Sequence, residues 1–174
     1  MTPWVHGVAV MACLWLLAGC GTFQTWHDHD ARFDFGGARV LAWDQPQGAA
    51  ASLAEQRFRD AVERVAMEQG LTWTSVRGEA HLLARQQVSK EARQEVRQLP
   101  SFGWRGLRGY DHDLYLHDYE LEWYLLQFLA PDGERIVWEA RAAARVIDDL
   151  GPGEREARAA EAAVEALRGF PPPL

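Results

Sequence analysis

Two stretches of alternating side chains, joined by Pro131-Asp132-Gly133, constrain this chain more than any other feature. Within Leu114–Ile147 large apolar residues recur at every second position from Tyr119 to Leu125 and small ones from Ala140 to Ala144, the period of a strand rather than a helix. Asp132-Gly133 at the centre suits a two-residue hairpin turn. That turn would set Tyr119, Leu121, Trp123 and Leu125 opposite Val146, Ala144, Ala142 and Ala140, large against small, leaving a trough over the alanines. On the other face it would place Glu120 against Arg145, and Glu122 diagonal to Arg141 and Arg145, each pair worth ~0.2–1 kcal/mol. An all-helical fold is excluded.

Two helices flank further strands. Ser52-Leu53-Ala54-Glu55 is a capping box, and Phe58, Ala61, Val62 and Val65 fall on one helical face behind it. Gly70 is placed to end this helix in a left-handed conformation. A second helix is expected over Glu154–Arg168, turning Ala157, Ala160, Val164 and Leu167 to the core, with alanines small enough to enter the trough. Gly169 and Pro171-Pro172-Pro173 end it. Strands are expected over Phe33–Trp43, Leu71–Val76 and Ala80–Val88. The charged segment Lys90–Gln98 suits either a continuation of the last strand or a charged helix, and strand continuation is the reading taken. The order implies an α+β fold: a largely antiparallel sheet of about five strands with both helices on one face.

Composition fits one domain of ordinary globular character: 174 residues, 48% hydrophobic and 25% charged. A net charge of −7 argues against a nucleic-acid partner.

The N-terminus reads as an address. Residues 1–19 carry no Asp, Glu, Lys or Arg, and Val8–Ala18 is an unbroken apolar run, too short to span a bilayer. Leu17-Ala18-Gly19-Cys20 follows and resembles the lipobox of bacterial lipoproteins, although the n-region lacks the usual Lys or Arg. The resemblance implies a signal peptide over 1–19, acyl chains such as palmitate on Cys20, a lipidated tether over 20–32 and a single domain over 33–174. Cys13 would leave with the signal, so the mature domain would hold no disulfide. Gly21 in place of Asp implies the outer membrane, facing the periplasm.

The Phe35–Trp43 segment ending in Ala-Trp, the run Phe58-Arg59-Asp60-Ala61-Val62, the strand Ile136-Val137-Trp138 and the closing Ala166-Leu167-Arg168-Gly169-Phe170-Pro171-Pro172 together resemble, in this order, bacterial lipoproteins known only as a domain of unknown function, DUF 4136. The resemblance covers most of the mature chain except Lys90–Asp113. It implies a lipid-anchored α+β domain and carries no catalytic residues.

The residues themselves offer little chemistry. There is no Gly-x-Ser-x-Gly elbow, and the one lysine, Lys90, sits in no phosphate loop. His27 and His29 would project together from an extended segment, and with His112 and His117 could ligate zinc if the two segments met; a hydrophilic spacer and a polar loop are the simpler reading. Asp118, Glu120 and Glu122 would share a strand face, where arginine pairing accounts for them more simply than acid–base work on a glycan. Between Arg85 and Arg108 six cations face two carboxylates, beside Phe102, Trp104, Arg105, Arg108 and Tyr110 in a Gly-rich loop. That loop is either a contact surface for an envelope protein or anionic glycan, or a solvated loop latched onto the core. The sequence thus points to a non-enzymatic, cofactor-free binding or envelope-assembly module, against a metal-dependent periplasmic enzyme built on the His/Asp clusters.

Overall fold

The computed structural model describes residues 23–44, 51–100 and 112–172. The expected signal segment 1–19, Cys20 and the candidate contact residues Phe102, Trp104, Arg105, Arg108 and Tyr110 lie outside them. The strands are β1 (Gln24–His29), β2 (Val40–Trp43), β3 (Thr72–Trp73), β4 (Leu82–Pro100), β5 (His112–Leu129) and β6 (Ile136–Arg145). Helix α1 (Leu53–Glu68) joins β2 to β3, and α2 (Pro152–Ala166) follows β6. The sheet order is β1-β6-β5-β4-β2-β3, antiparallel except where β2 meets β3 and β4. The α+β class and the largely antiparallel sheet are as the sequence implies, with six strands rather than five.

The additional strand corrects the reading of residues 20–32 as a tether throughout. Gln24–His29 pairs with Trp138–Ala143 at the sheet edge, and Phe23 before it is buried. An edge strand in contact with solvent tolerates polar side chains, so Gln24, His27 and Asp28 concealed it. The strand expected over Phe33–Trp43 shortens to Val40–Trp43. Asp30 and Asp34 accept the backbone N–H groups of Arg32 and Gly36, turns that compete with a ladder. Leu71–Val76 shortens to Thr72–Trp73, because the Thr74 hydroxyl accepts the Val76 N–H and a short 3-10 turn follows.

Helix α1 forms where its capping box directs. Ser52 Oγ accepts from the Glu55 N–H and the Glu55 carboxylate accepts from the Ser52 N–H. Phe58, Ala61, Val62, Val65 and Ala66 are buried, and Gly70 has φ of +82°. The edge strands are fastened to it by Trp43, whose indole N–H donates to Glu63 at 2.6 Å while its ring stacks on Trp73.

The hairpin register differs from the expected one by a single residue. Leu129 pairs with Ile136 as the turn demands, but a bulge follows and Phe128 then pairs with Trp138. Val137 and Trp138 are consequently both buried. The slip sets Tyr124 opposite Ala142 and Leu126 opposite Ala140. Sheet side chains alternate strictly, so one residue of slip exchanges the faces. Tyr124, Leu126 and Phe128 form the core, and Trp123 and Leu125 lie on the opposite face. The pairing of Glu120 and Glu122 with Arg145 and Arg141 does not form: Arg145 stands opposite Leu121 and Arg141 opposite Leu125. The alanine trough survives, and α2 packs in it through Ala162, Ala163 and Ala166. Its buried face also carries Arg158, Ala159 and Leu167, while Val164 is exposed. A helix with alanine on several sides has too little contrast to show its inner face by periodicity.

Candidate functional site

Strands β4 and β5 are much longer than their neighbours. They pair from Leu83–Leu129 to Pro100–His112, whereas β6 accompanies β5 only to Leu121 and β2 accompanies β4 only at Leu82–Ala84. The nine pairs from Ala92–Glu120 outward therefore form a two-stranded ribbon, ~30 Å long at ~3.3 Å per residue. Among the described residues no further strand pairs with either edge of this ribbon, although the Glu120 carbonyl at its root accepts the Val146 N–H. Its continuation past Lys90 is as expected from the sequence. The candidate contact residues Phe102 to Tyr110 belong to the segment that links its two strands. Arg145 braces its root: the guanidinium lies 4.7 Å from the Tyr119 ring centroid and 3.4 Å from the Glu95 carboxylate.

The ribbon continues the sheet face opposite the helices. Over most of its breadth that face has no second layer among the described residues. Trp26 from β1 stacks on Trp123 from β5 at 5.5 Å, and Arg93 from β4 lies 5.7 Å from the Trp123 ring. Trp26 remains 49% exposed. A shallow cavity of about 570 Å³ lies alongside, lined by Gln87, Ser89, Arg93, Trp123, Leu125 and Arg141 among others. Arg141 pairs with Glu139 of its own strand at 2.7 Å. Aromatic rings and arginines together, accessible and rimmed by polar groups, have the composition of energetic centres in protein interfaces. Sequence reasoning missed Trp26 because it sat in the apparent tether. It misplaced Trp123 because both faces of β5 carry large apolar residues.

The histidines are not brought together. His27 Nε2 lies 2.8 Å from the Glu165 carbonyl oxygen at the end of α2, and the His27 and His29 rings approach Trp138 at 5.6 and 6.2 Å. His112 and His117 belong to the ribbon, beyond the end of β6 and on the far side of it from β1. Among the described residues no three His, Cys, Asp or Glu side chains are grouped to hold a metal ion.

The carboxylate row is also divided. Asp118 and Glu120 are exposed on the ribbon, whereas Glu122 turns inward beneath the helices. Arg158 Nε meets its Oε2 at 3.3 Å and the Tyr124 hydroxyl donates to the same oxygen at 2.7 Å. Arg158 also donates to the Arg145 carbonyl and lies over the Phe23 ring. Burial, and then the adjoining Glu122 carboxylate, push the Tyr124 phenol well above its ordinary range. Arg158 escaped notice because an arginine within an alanine-rich helix reads as a solvent-facing position.

No curated protein sequence matches the chain. Among solved structures it is similar to a PDZ domain protein from Parabacteroides distasonis, with 14% identity and a TM-score of 0.55 over 88% of this chain. The match spans 36% of that protein and concerns the fold alone. A PelC dodecamer from Paraburkholderia phytofirmans is similar at 10% identity and a TM-score of 0.47, over 83% of this chain and 94% of that one. The family model described as "Domain of unknown function (DUF4136)" matches residues 25–172, from β1 to the prolines that follow α2, and the chain belongs to that family.

Proposed function

We propose that this chain is a lipid-anchored binding module of the bacterial envelope, held to the outer membrane on its periplasmic side through acylated Cys20. It engages an envelope protein through the open sheet face and the ribbon. The observation that carries the reading is the ribbon itself: nine residue pairs project past the last strand of the sheet. An isolated two-stranded hairpin is marginal in water, so a ribbon of this length gains much from a partner that covers it. Leu17-Ala18-Gly19-Cys20 supports the anchor, since multiple acyl chains give stable attachment where one gives only reversible binding.

Two measurements test it. Intact mass of the membrane-extracted protein should show a chain beginning at Cys20 and carrying acyl groups; an unacylated product released freely on lysis contradicts the anchor. Envelope crosslinking of the Trp104→Ala, Arg105→Ala variant should lose a partner that the wild type captures. Retention of every wild-type partner contradicts the contact loop, and capture of glycan alone replaces the protein partner with an anionic glycan.

A further inference from the structure

On the helix side a second cavity, of about 320 Å³, opens where the first turns of α1 and α2 meet the inner face of β4 and β5. Four cationic side chains line it: Arg57 from α1, Lys90 from β4, and Arg155 and Arg158 from α2. Only two carboxylates, Glu122 and Asp148, stand among the lining residues. Glu122 is already committed to Arg158 and Tyr124. Arg155 donates to the backbone carbonyls of Asp148 and Leu150, which fixes its guanidinium at the rim. Arg57 and Lys90 make no ion pair or hydrogen bond among the described residues. A cavity with surplus positive charge is notable in a chain whose net charge is −7.

The helix ends themselves do not supply the anion site. Both are closed by their own capping carboxylates, Glu55 on Ser52 and Glu154 on Gly151. An incoming anion must therefore be held by the side chains. The buried Arg158, only 8% exposed, gives them a fixed floor. The mouth is apolar by contrast: Leu53 and Ile147 are 66% and 52% exposed, two large side chains that water would otherwise have to cover.

We propose that this cavity binds a phosphate monoester bearing an apolar arm, with the phosphate among Arg57, Lys90 and Arg155 and the arm against Leu53 and Ile147. Three cations lining one cavity suit the several oxygens of a phosphate better than one carboxylate, and the volume matches the small end of ligand sites. The site is separate from the open face and stands whether or not the envelope reading holds.

The test is calorimetric titration of the purified chain with hexyl phosphate, inorganic phosphate and hexanol. Vesicles of phosphatidylcholine containing phosphatidic acid provide a second arm. Hexyl phosphate should bind in the sub-millimolar range, at least tenfold tighter than inorganic phosphate, and hexanol should give no heat. The Arg57→Gln, Lys90→Gln double variant removes no described contact, so its circular dichroism should be unchanged and its affinity at least tenfold weaker. Cosedimentation with the acidic vesicles assigns the ester to a lipid headgroup; binding of hexyl phosphate without cosedimentation assigns it to a soluble ester. Absence of binding at 5 mM hexyl phosphate (about fivefold above the top of the expected range), equal binding of inorganic phosphate, or unchanged affinity in the variant would overturn the proposal.

Discussion

The two faces of one sheet are built from the same strands and behave as different materials. Beneath the helices, Tyr124 and Leu126 stand opposite small alanines on β6 and Phe128 opposite Trp138, and all are almost wholly removed from water. On the other side Trp123 and Leu125 lie among arginines and carboxylates, under no second layer among the described residues, with Trp26 half exposed above them. The inner face is apolar because it holds the domain together. The outer face keeps large rings accessible, at a cost in stability that a partner surface would offset.

Perturbing each face in turn sharpens the contrast. The largest effect should come from the inner face: Phe128→Ala removes a fully buried ring and should destabilise the domain by ~3–5 kcal/mol in denaturant unfolding. A cost below ~1 kcal/mol would mean that the helices do not cover that face. Next comes the buried ion pair. Arg158→Ala leaves Glu122 without its cation and should cost ~3 kcal/mol, most of it recovered when Glu122→Leu is combined with Arg158→Leu. Tyr124 adds a pH signature to this cluster. Its phenol is raised in the folded state above the ordinary tyrosine value of 10.0, so its contribution is complete below that pH and is lost as pH rises. Tyr124→Phe should reduce the alkaline loss of stability.

Substitutions on the open face should be mild for stability. Trp26→Ala breaks one stacked pair and should cost about 1 kcal/mol, a fraction of the Phe128 effect, while still weakening partner capture. The smallest effect is expected at the ribbon root, where Arg145 and Glu95 should show a coupling of ~0.2–1 kcal/mol in a double-mutant cycle. Coupling of Arg145 with Glu120 instead would restore the unbulged register and contradict the assignment of faces.

The same contrast explains what was legible in the sequence. Local signals with a single physical meaning can be read directly: the Ser52–Glu55 capping box, and Gly70 and Gly169 in left-handed conformation. The charged segment past Lys90 suits a strand or a helix, and only its pairing with β5 decides for the strand. The choice of face cannot be read in that way. Leu121-x-Trp123-x-Leu125 and Tyr124-x-Leu126-x-Phe128 are both apolar, and only the bulge at Val137 decides which one meets the alanines. The site suffered most from this ambiguity. Trp26, Trp123 and Arg158 owe their roles to contacts across 97, 97 and 36 positions in the chain, respectively with Trp123, Trp26 and Glu122, which no local pattern encodes.

The proposed role requires a partner to dock on the open face. Site-specific photocrosslinking in intact cells tests that directly, with the reactive group placed at Trp26, Arg93 or Arg105, and at Glu156 or Glu161 on the exposed side of α2. Envelope adducts should form from the first three positions and not from the helix positions. Adducts confined to the helix side, with none from the sheet face or ribbon loop, would contradict it.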